Sequence, residues 1–340
     1  MRCTYFQHPE HVTISKFLLA STTLYLKSKS ENEKMNIRSN YIAYSALAAV
    51  CIIWGTTYLA LRIAVMHFPP FLFTALRQTT AGLLLLGFMF TLGKAAWPSK
   101  DHLIRQSIGG FFMLTLGNGL VAWAEMHIPS GVAAIICSLM PVLVILINLF
   151  LSRDEKPTVP IMIGVALGLI GIVMIFSEHV AEFSKTEYII GIALTFGAVV
   201  SWAGGSIWIK KKNTESNPFV NAGLQMFFGG LWCFPLSFLF DDLSAVSWSA
   251  EAAYSLIYLI IFGSIIAYAS YSYALRKLPM TIVSLYAYVN PLVAVILGWL
   301  VLDEKLNLKI IAAFILTVAG IYIVNKGYQL RNEWKAQFSR

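Results

Sequence analysis

The sequence predicts an all-α integral membrane protein with ten transmembrane helices, arranged as two five-helix repeats of inverted topology. Three observations predict it. Apolar segments of membrane-spanning length follow one another from residue 41 to 326, basic residues collect in every second loop, and the second half repeats the first at an offset near 150 residues.

Composition sets the solvent. Of 340 residues 58% are apolar and only 12% charged, with a mean hydropathy of +0.70. A water-facing surface needs about twice that charged share, so most of this surface faces lipid. The net charge of +8 does not indicate a nucleic-acid partner, because the basic residues lie in short runs between apolar segments rather than on one face or tail. Cys3, Cys51, Cys137 and Cys233 show no CxxC or metal-ligand spacing. No disulfide, metal site or cofactor is expected.

A helix needs about 20 mainly apolar residues to cross the hydrocarbon core, and helices are required because lipid offers no partner to open backbone groups. Spans are expected near 41–61, 71–92, 106–124, 130–151, 158–177, 188–209, 219–240, 252–274, 279–301 and 307–326. Eighteen basic residues fall on one side: before span 1, after spans 2, 4, 6 and 8, and after span 10. The opposite loops hold four, Arg62, Lys185, Lys305 and Lys309, and are acidic in places (Glu178, Glu182, Glu187, Asp241, Asp242, Glu251). That bias puts both termini in the cytoplasm of a plasma or inner membrane protein. Residues 1–40 form an N-terminal extension, expected to be disordered, whose run Phe17–Leu26 lacks a clear cleavage site. The repeats occupy 41–182 and 188–326, and 327–340 is a cytoplasmic tail.

The internal repeat rests on ordered matches. At an offset of 148, Trp54 meets Trp202, Arg62 meets Lys210, and Pro70-Phe71 meets Pro218-Phe219. Near 150, the run from Ala124 to Pro129 meets that from Ala274 to Pro279, Pro141 meets Pro291, and Asp154-Glu155 meets Asp303-Glu304 after one residue of slip. Five spans is an odd number, so the second copy enters from the opposite face. Such repeats place a substrate site near the midplane where the halves meet.

Candidate site residues follow from polar groups inside spans. Arg77 lies about two turns inside span 2. Burying its charge costs roughly 2.5–3.5 kcal/mol, so it either faces the bundle or a wet cavity, or snorkels to the interface. Trp54 and Trp202 sit mid-span, away from the interfacial belts where aromatics concentrate, as cavity wall or helix packing. Tyr268, Tyr271 and Ser272 share a helical face. Span 9 adds Tyr286, Tyr288 and Asn290, and span 3 adds Asn118. The expected substrate-binding set is Trp54, Arg77, Asn118, Trp202, Tyr268, Tyr271, Tyr288 and Asn290. Pro141 and Pro291 each remove an intrahelical hydrogen bond mid-span, giving either hinges or static bends. Gly164 and Gly168 permit close helix approach, within the bundle or between copies. No Asp or Glu lies near the middle of a span, Glu125 being the nearest. There is no P-loop, HExxH or Ser-His-Asp pattern.

Trp54-Gly55, Pro69-Pro70 with Arg77, Tyr273-Ala274-Leu275 with Pro279, and Asn290-Pro291 with Asp303-Glu304 together resemble the drug/metabolite transporter superfamily in its EamA-type members. Pro141 and Glu155 echo the pattern in the first half, and the resemblance covers residues 41–326. It implies a ten-helix transporter, often an exporter of amino acids, related metabolites or toxic compounds. Gln225 stands where the second-half counterpart of Arg77 would be, so that basic position is not doubled. The expectation is therefore a non-enzymatic secondary transporter or exporter of a small amphipathic metabolite, working by alternating access as a monomer or weak homodimer. A nucleotide-sugar-like antiporter, a passive channel and a membrane-embedded enzyme are the alternatives.

Overall fold

The computed structural model describes residues 41–93, 95–140, 143, 158–178, 185–211, 217–278, 283, 286–303 and 308–338. Among these, every α, π or 3-10 element is helical and none is a strand. The N-terminal extension, Pro141, Glu155 and Glu304 fall outside the described residues. The chain divides into two compact units, residues 1–45 and 46–340. Of the first, residues 41–45 open the helix α1 (Tyr41–Val65).

The second unit carries the rest of α1 and the remaining helices: α2 (Pro70–Thr91), α3 (Lys100–Ala124), α4 (Ser130–Cys137), α5 (Val159–Glu178), α6 (Thr186–Lys211), α7 (Pro218–Phe240), α8 (Ala250–Lys277), α9 (Tyr286–Leu302) and α10 (Leu308–Phe338). Six of the described helices are long and apolar enough to cross a membrane: α1, α2, α3, Thr186–Ile209 of α6, α7 and α8. Shorter apolar stretches occupy Val159–Gly168, Val289–Leu302 and Ile311–Gly320.

Two boundaries differ from the sequence reading. Helix α3 begins at Lys100 rather than near residue 106, because the Ser99 hydroxyl accepts the His102 amide and caps it. Lys100 and Arg105, read as loop, are therefore helical. Likewise α10 continues to Phe338, so most of the segment read as a tail prolongs the last helix. The remaining starts follow local chemistry. Proline occupies the first helical position of α2 and α7, where its missing N–H costs nothing, and the Asn217 carboxamide accepts the Phe219 amide. Helix α9 stops at Asp303, whose φ of 54° is a left-handed conformation that short polar side chains tolerate.

The two halves recur in detail. Helix α3 contains a π-helical segment, Phe111–Asn118, and α8 contains another, Leu259–Ile266. These lie 148 residues apart, the offset of the Trp54 and Trp202 match. Ser99 caps α3 and Ser249 caps α8, each preceded by an exposed tryptophan, Trp97 or Trp248, a placement suited to the membrane interface. Packing recurs as well. Counterparts α2 and α7 lie along one another, as do α5 and α10, while α4 packs on α9 and α6 on the π segment of α3.

Small residues make these approaches close. A Cβ on Gly82 would collide with the Phe227 backbone of α7, and one on Gly320 of α10 would come within 2.6 Å of the Gly168 backbone and 2.5 Å of the Gly164 carbonyl. The Gly164/Gly168 pattern thus serves packing between α5 and α10 within the chain. At its far end α7 anchors α2. The Asp241 carboxylate accepts the amides of Leu72 (2.7 Å) and Phe71 (3.4 Å), compensating two orphan donors at the α2 N-terminus. Partial burial pushes the Asp241 carboxyl above its ordinary value, against the lowering effect of those amides.

Gly82→Ala puts a methyl group into backbone that no rotamer change can clear. It is expected to cost about 1–3 kcal/mol, read as earlier thermal unfolding in detergent. Gly87→Ala, with nothing within 4 Å of the new carbon, is the matched control and is expected to leave the transition in place.

Candidate functional site

A cavity opens among α1, α2, α3, α4, α6, α8 and α9, lined by residues of both halves. Its space is about 110 Å³. One water needs roughly 10–15 Å³ of such space, so the chamber has room for several waters or a small molecule. Of the eight expected binding residues, Trp54, Arg77, Asn118, Trp202, Tyr268 and Asn290 line it. Tyr271 does not. It reaches the chamber only through its ring, 5.1 Å from that of Trp54, and lines a second cavity instead. Tyr288 lies in α9, but its side chain is outside the described residues, and Pro291 is an interior residue of the same helix.

The Arg77 guanidinium is buried, 6% exposed, which excludes the snorkelling arrangement. Its Nε–H donates to the Ser264 hydroxyl at 2.9 Å, and that hydroxyl donates to Gln78 Oε1 at 3.3 Å. Arg77 and Gln78 sit side by side near the start of α2, and Ser264 comes from the π segment of α8. Glu125, fully buried at the end of α3, supplies opposite charge within electrostatic reach of Arg77 and Tyr58. Close by, Tyr58 pairs with the Cys137 thiol.

Aromatic rings form the other wall. Trp54 and Trp202 meet edge to face, centroids 5.7 Å apart, and Trp54 also meets Tyr286 edge to face at 5.1 Å. Tyr268 lies 6.2 Å from Trp202 and 6.0 Å from Tyr271. The Trp54 indole donates to the Gly263 carbonyl at 3.1 Å. Across the repeat, Ser201 of α6 donates to the Phe112 carbonyl at 2.7 Å. Each π segment thus presents a carbonyl to the first helix of the opposite half, and such wide turns are frequent at functional sites. Asn290, oriented so that its amide donates, bonds the Cys51 carbonyl (2.9 Å) and the Tyr286 carbonyl (3.0 Å). It braces α9 on α1 while lining the chamber.

Sequence reasoning missed Gln78, Ser264, Tyr58 and Thr57 as chamber residues, and named Tyr286 only in passing. Ser264 was within reach of it, since it lies four residues before Tyr268 on the same face. The π segments carry no such signal.

A family model for the EamA-like transporter family matches residues 41–177 and again 189–326. The chain belongs to the EamA-like transporter family. The two matches coincide with the two structural repeats. Among relatives, a protein of Escherichia coli K12 described as the uncharacterized inner membrane transporter YedA is 32% identical over 266 residues, covering 78% of this chain and 84% of that one. The transporter YoaV of Bacillus subtilis is 24% identical, covering 82% and 94%. Protein PecM of Dickeya dadantii is 29% identical, covering 82% and 90%. A solved crystal structure at 20% identity superposes with a TM-score of 0.61, covering 84% of this chain and 97% of its own, and shares the fold. The protein is therefore a multi-span membrane protein of a transporter family.

Ser264→Ala leaves a buried charged donor and the Gln78 carbonyl without their shared partner. The expected loss is about 1.5–3 kcal/mol, measured by thermal unfolding in detergent. Ser264→Thr, which keeps the hydroxyl, is expected to recover most of it.

Proposed function

We propose that this protein is a secondary transporter, working as an exporter, that moves a small metabolite such as an amino acid or a related amphipathic compound by alternating access. The observation that carries the reading is the chamber itself: a small aromatic-walled space between both repeats, with one buried guanidinium on its lining. Aromatic walls suit an apolar body, and Arg77 suits a carboxylate. Substrate sites of inverted-repeat carriers lie in this position.

In this reading ten helices cross the membrane, the second five inverted relative to the first, with both termini in the cytoplasm. The loop charges support that orientation. The paired π segments and the α2–α7 and α5–α10 pairings, which map onto themselves when the halves are exchanged, support the duplication. A nucleotide-sugar antiporter is disfavoured, since one arginine and a chamber of about 110 Å³ are a poor match to a diphosphate. Pro291 in α9 is suited to a pivot, and a monomer holds the whole pathway.

Reconstituted into proteoliposomes and assayed with a panel of free amino acids and short carboxylates, the protein is expected to give saturable flux that supports counterflow. Trp54→Ala and Arg77→Ala are each expected to reduce it about tenfold or more, the scale of a lost charge-assisted bond or buried ring. Conductance without saturation indicates a channel instead, and flux unchanged in both variants removes the chamber as the site.

A further inference from the structure

A second cavity of about 80 Å³ lies beside the chamber, among α3, α6, α7 and α8. Ser206, Asn221, Gln225, Tyr271, Ser272 and Arg276 line it. It sits where α6 ends, α7 begins and α8 ends, the side of the bundle whose loops are basic. Tyr268 lines both cavities, so its side chain forms part of the wall between them.

Tyr268 is held there by a chain of side chains. Its hydroxyl donates to Gln225 Oε1, and Gln225 Nε2 donates to Gln106 Oε1 at 2.5 Å. All three residues are buried. One turn away, His102 bonds Asn221 at 2.8 Å between the same two helices, α3 and α7. Gln225 occupies the second-half position equivalent to Arg77. Arg77 reaches α8 at Ser264 inside the chamber, and Gln225 reaches α8 at Tyr268, one turn further along. The same position in the two repeats thus lines two different cavities, Arg77 the chamber and Gln225 its neighbour.

We propose that the second cavity is a vestibule on the basic side where the cargo pauses outside the chamber, and that the Tyr268–Gln225–Gln106 chain latches the partition between them. The polar lining and Arg276 suit a small hydrogen-bonding anion. The latch is a closed-state device. When Tyr268 swings aside, water can satisfy the released amide groups; when it sits in place without its hydroxyl, a buried Gln225 acceptor is orphaned. Losing the hydroxyl therefore destabilises the closed state specifically, and the open population rises. The proposal rests on the transporter reading, but its test does not need the cargo.

The probe is 2-sulfonatoethyl methanethiosulfonate, a small impermeant anion, applied to the full chain in vesicles of each orientation. Cys137, which lines the chamber, is the reporter once Cys3, Cys51 and Cys233 are replaced by alanine. Ser272→Cys, with Cys137 also replaced, reports on the vestibule. Ser272→Cys is expected to label from the basic face and Cys137 to resist label from that face. Tyr268→Phe is expected to speed Cys137 labelling from that face about tenfold, the factor carried by one buried hydrogen bond. Gln225→Met, which removes both bonds at similar length, is expected to do the same and stands in if Tyr268→Phe fails to fold. A Ser272→Cys protein closed to the basic face, or Cys137 labelling unchanged by the latch variants, overturns the proposal. Absence of saturable flux in the unaltered protein with the labelling pattern intact overturns the transport reading alone.

Discussion

A guanidinium cannot shed its proton at any accessible pH, so Arg77 must be compensated wherever the fold puts it. Its position inside α2 leaves only interior solutions, and most of the candidate site is that solution. The Ser264 hydroxyl accepts a hydrogen bond from its Nε–H and donates one to Gln78 Oε1, and Glu125 brings opposite charge from the end of α3. These partners come from three helices, so the charge also determines which helices converge. The compensated cation still borders the cavity, which is why the proposed carboxylate site is placed there.

The repeat supplies the geometry that makes this possible. Each half contributes a long helix with a π segment at the same position, and each π segment turns a carbonyl toward the opening helix of the other half. These crossed bonds knit the halves at the level of Trp54 and Trp202. Glycine approaches between α2 and α7, and between α5 and α10, then close the periphery. Symmetry stops at the cavities, where arginine faces one side and glutamine the other. That difference gives two chemically distinct compartments from one duplicated plan.

Much of the fold was legible because lipid leaves the chain few choices. Length and hydropathy locate spans, and Trp54, Trp202, Pro70 and Pro218 keep their places in both halves, so the duplication is written in side chains. Caps were harder: Ser99 starts α3 six residues before the apolar run does, since a hydrogen bond to an amide has no hydropathy. In the site, Arg77 and the tryptophans stood out as misfits among apolar neighbours. Ser264 and Gln78 did not, because single hydroxyls and amides are common in spans and acquire meaning only through a partner on another helix. That Tyr268 borders both cavities and Tyr271 only the second depends on helix rotation, which a local widening into π geometry shifts without changing the sequence period.

Arg77 and the Trp54–Trp202 pair line one cavity, so a ligand bound there would be read by both. Tryptophan emission titrated in detergent with a panel of small carboxylates and their uncharged amides tests it most directly. The carboxylate of a matching pair is expected to shift emission saturably and its amide to do so far more weakly. The shift should be lost in Trp202→Phe, and the preference for charge should vanish in Arg77→Gln. A saturable shift that treats acid and amide alike in the unaltered protein, or that survives Arg77→Gln with its charge preference intact, contradicts it.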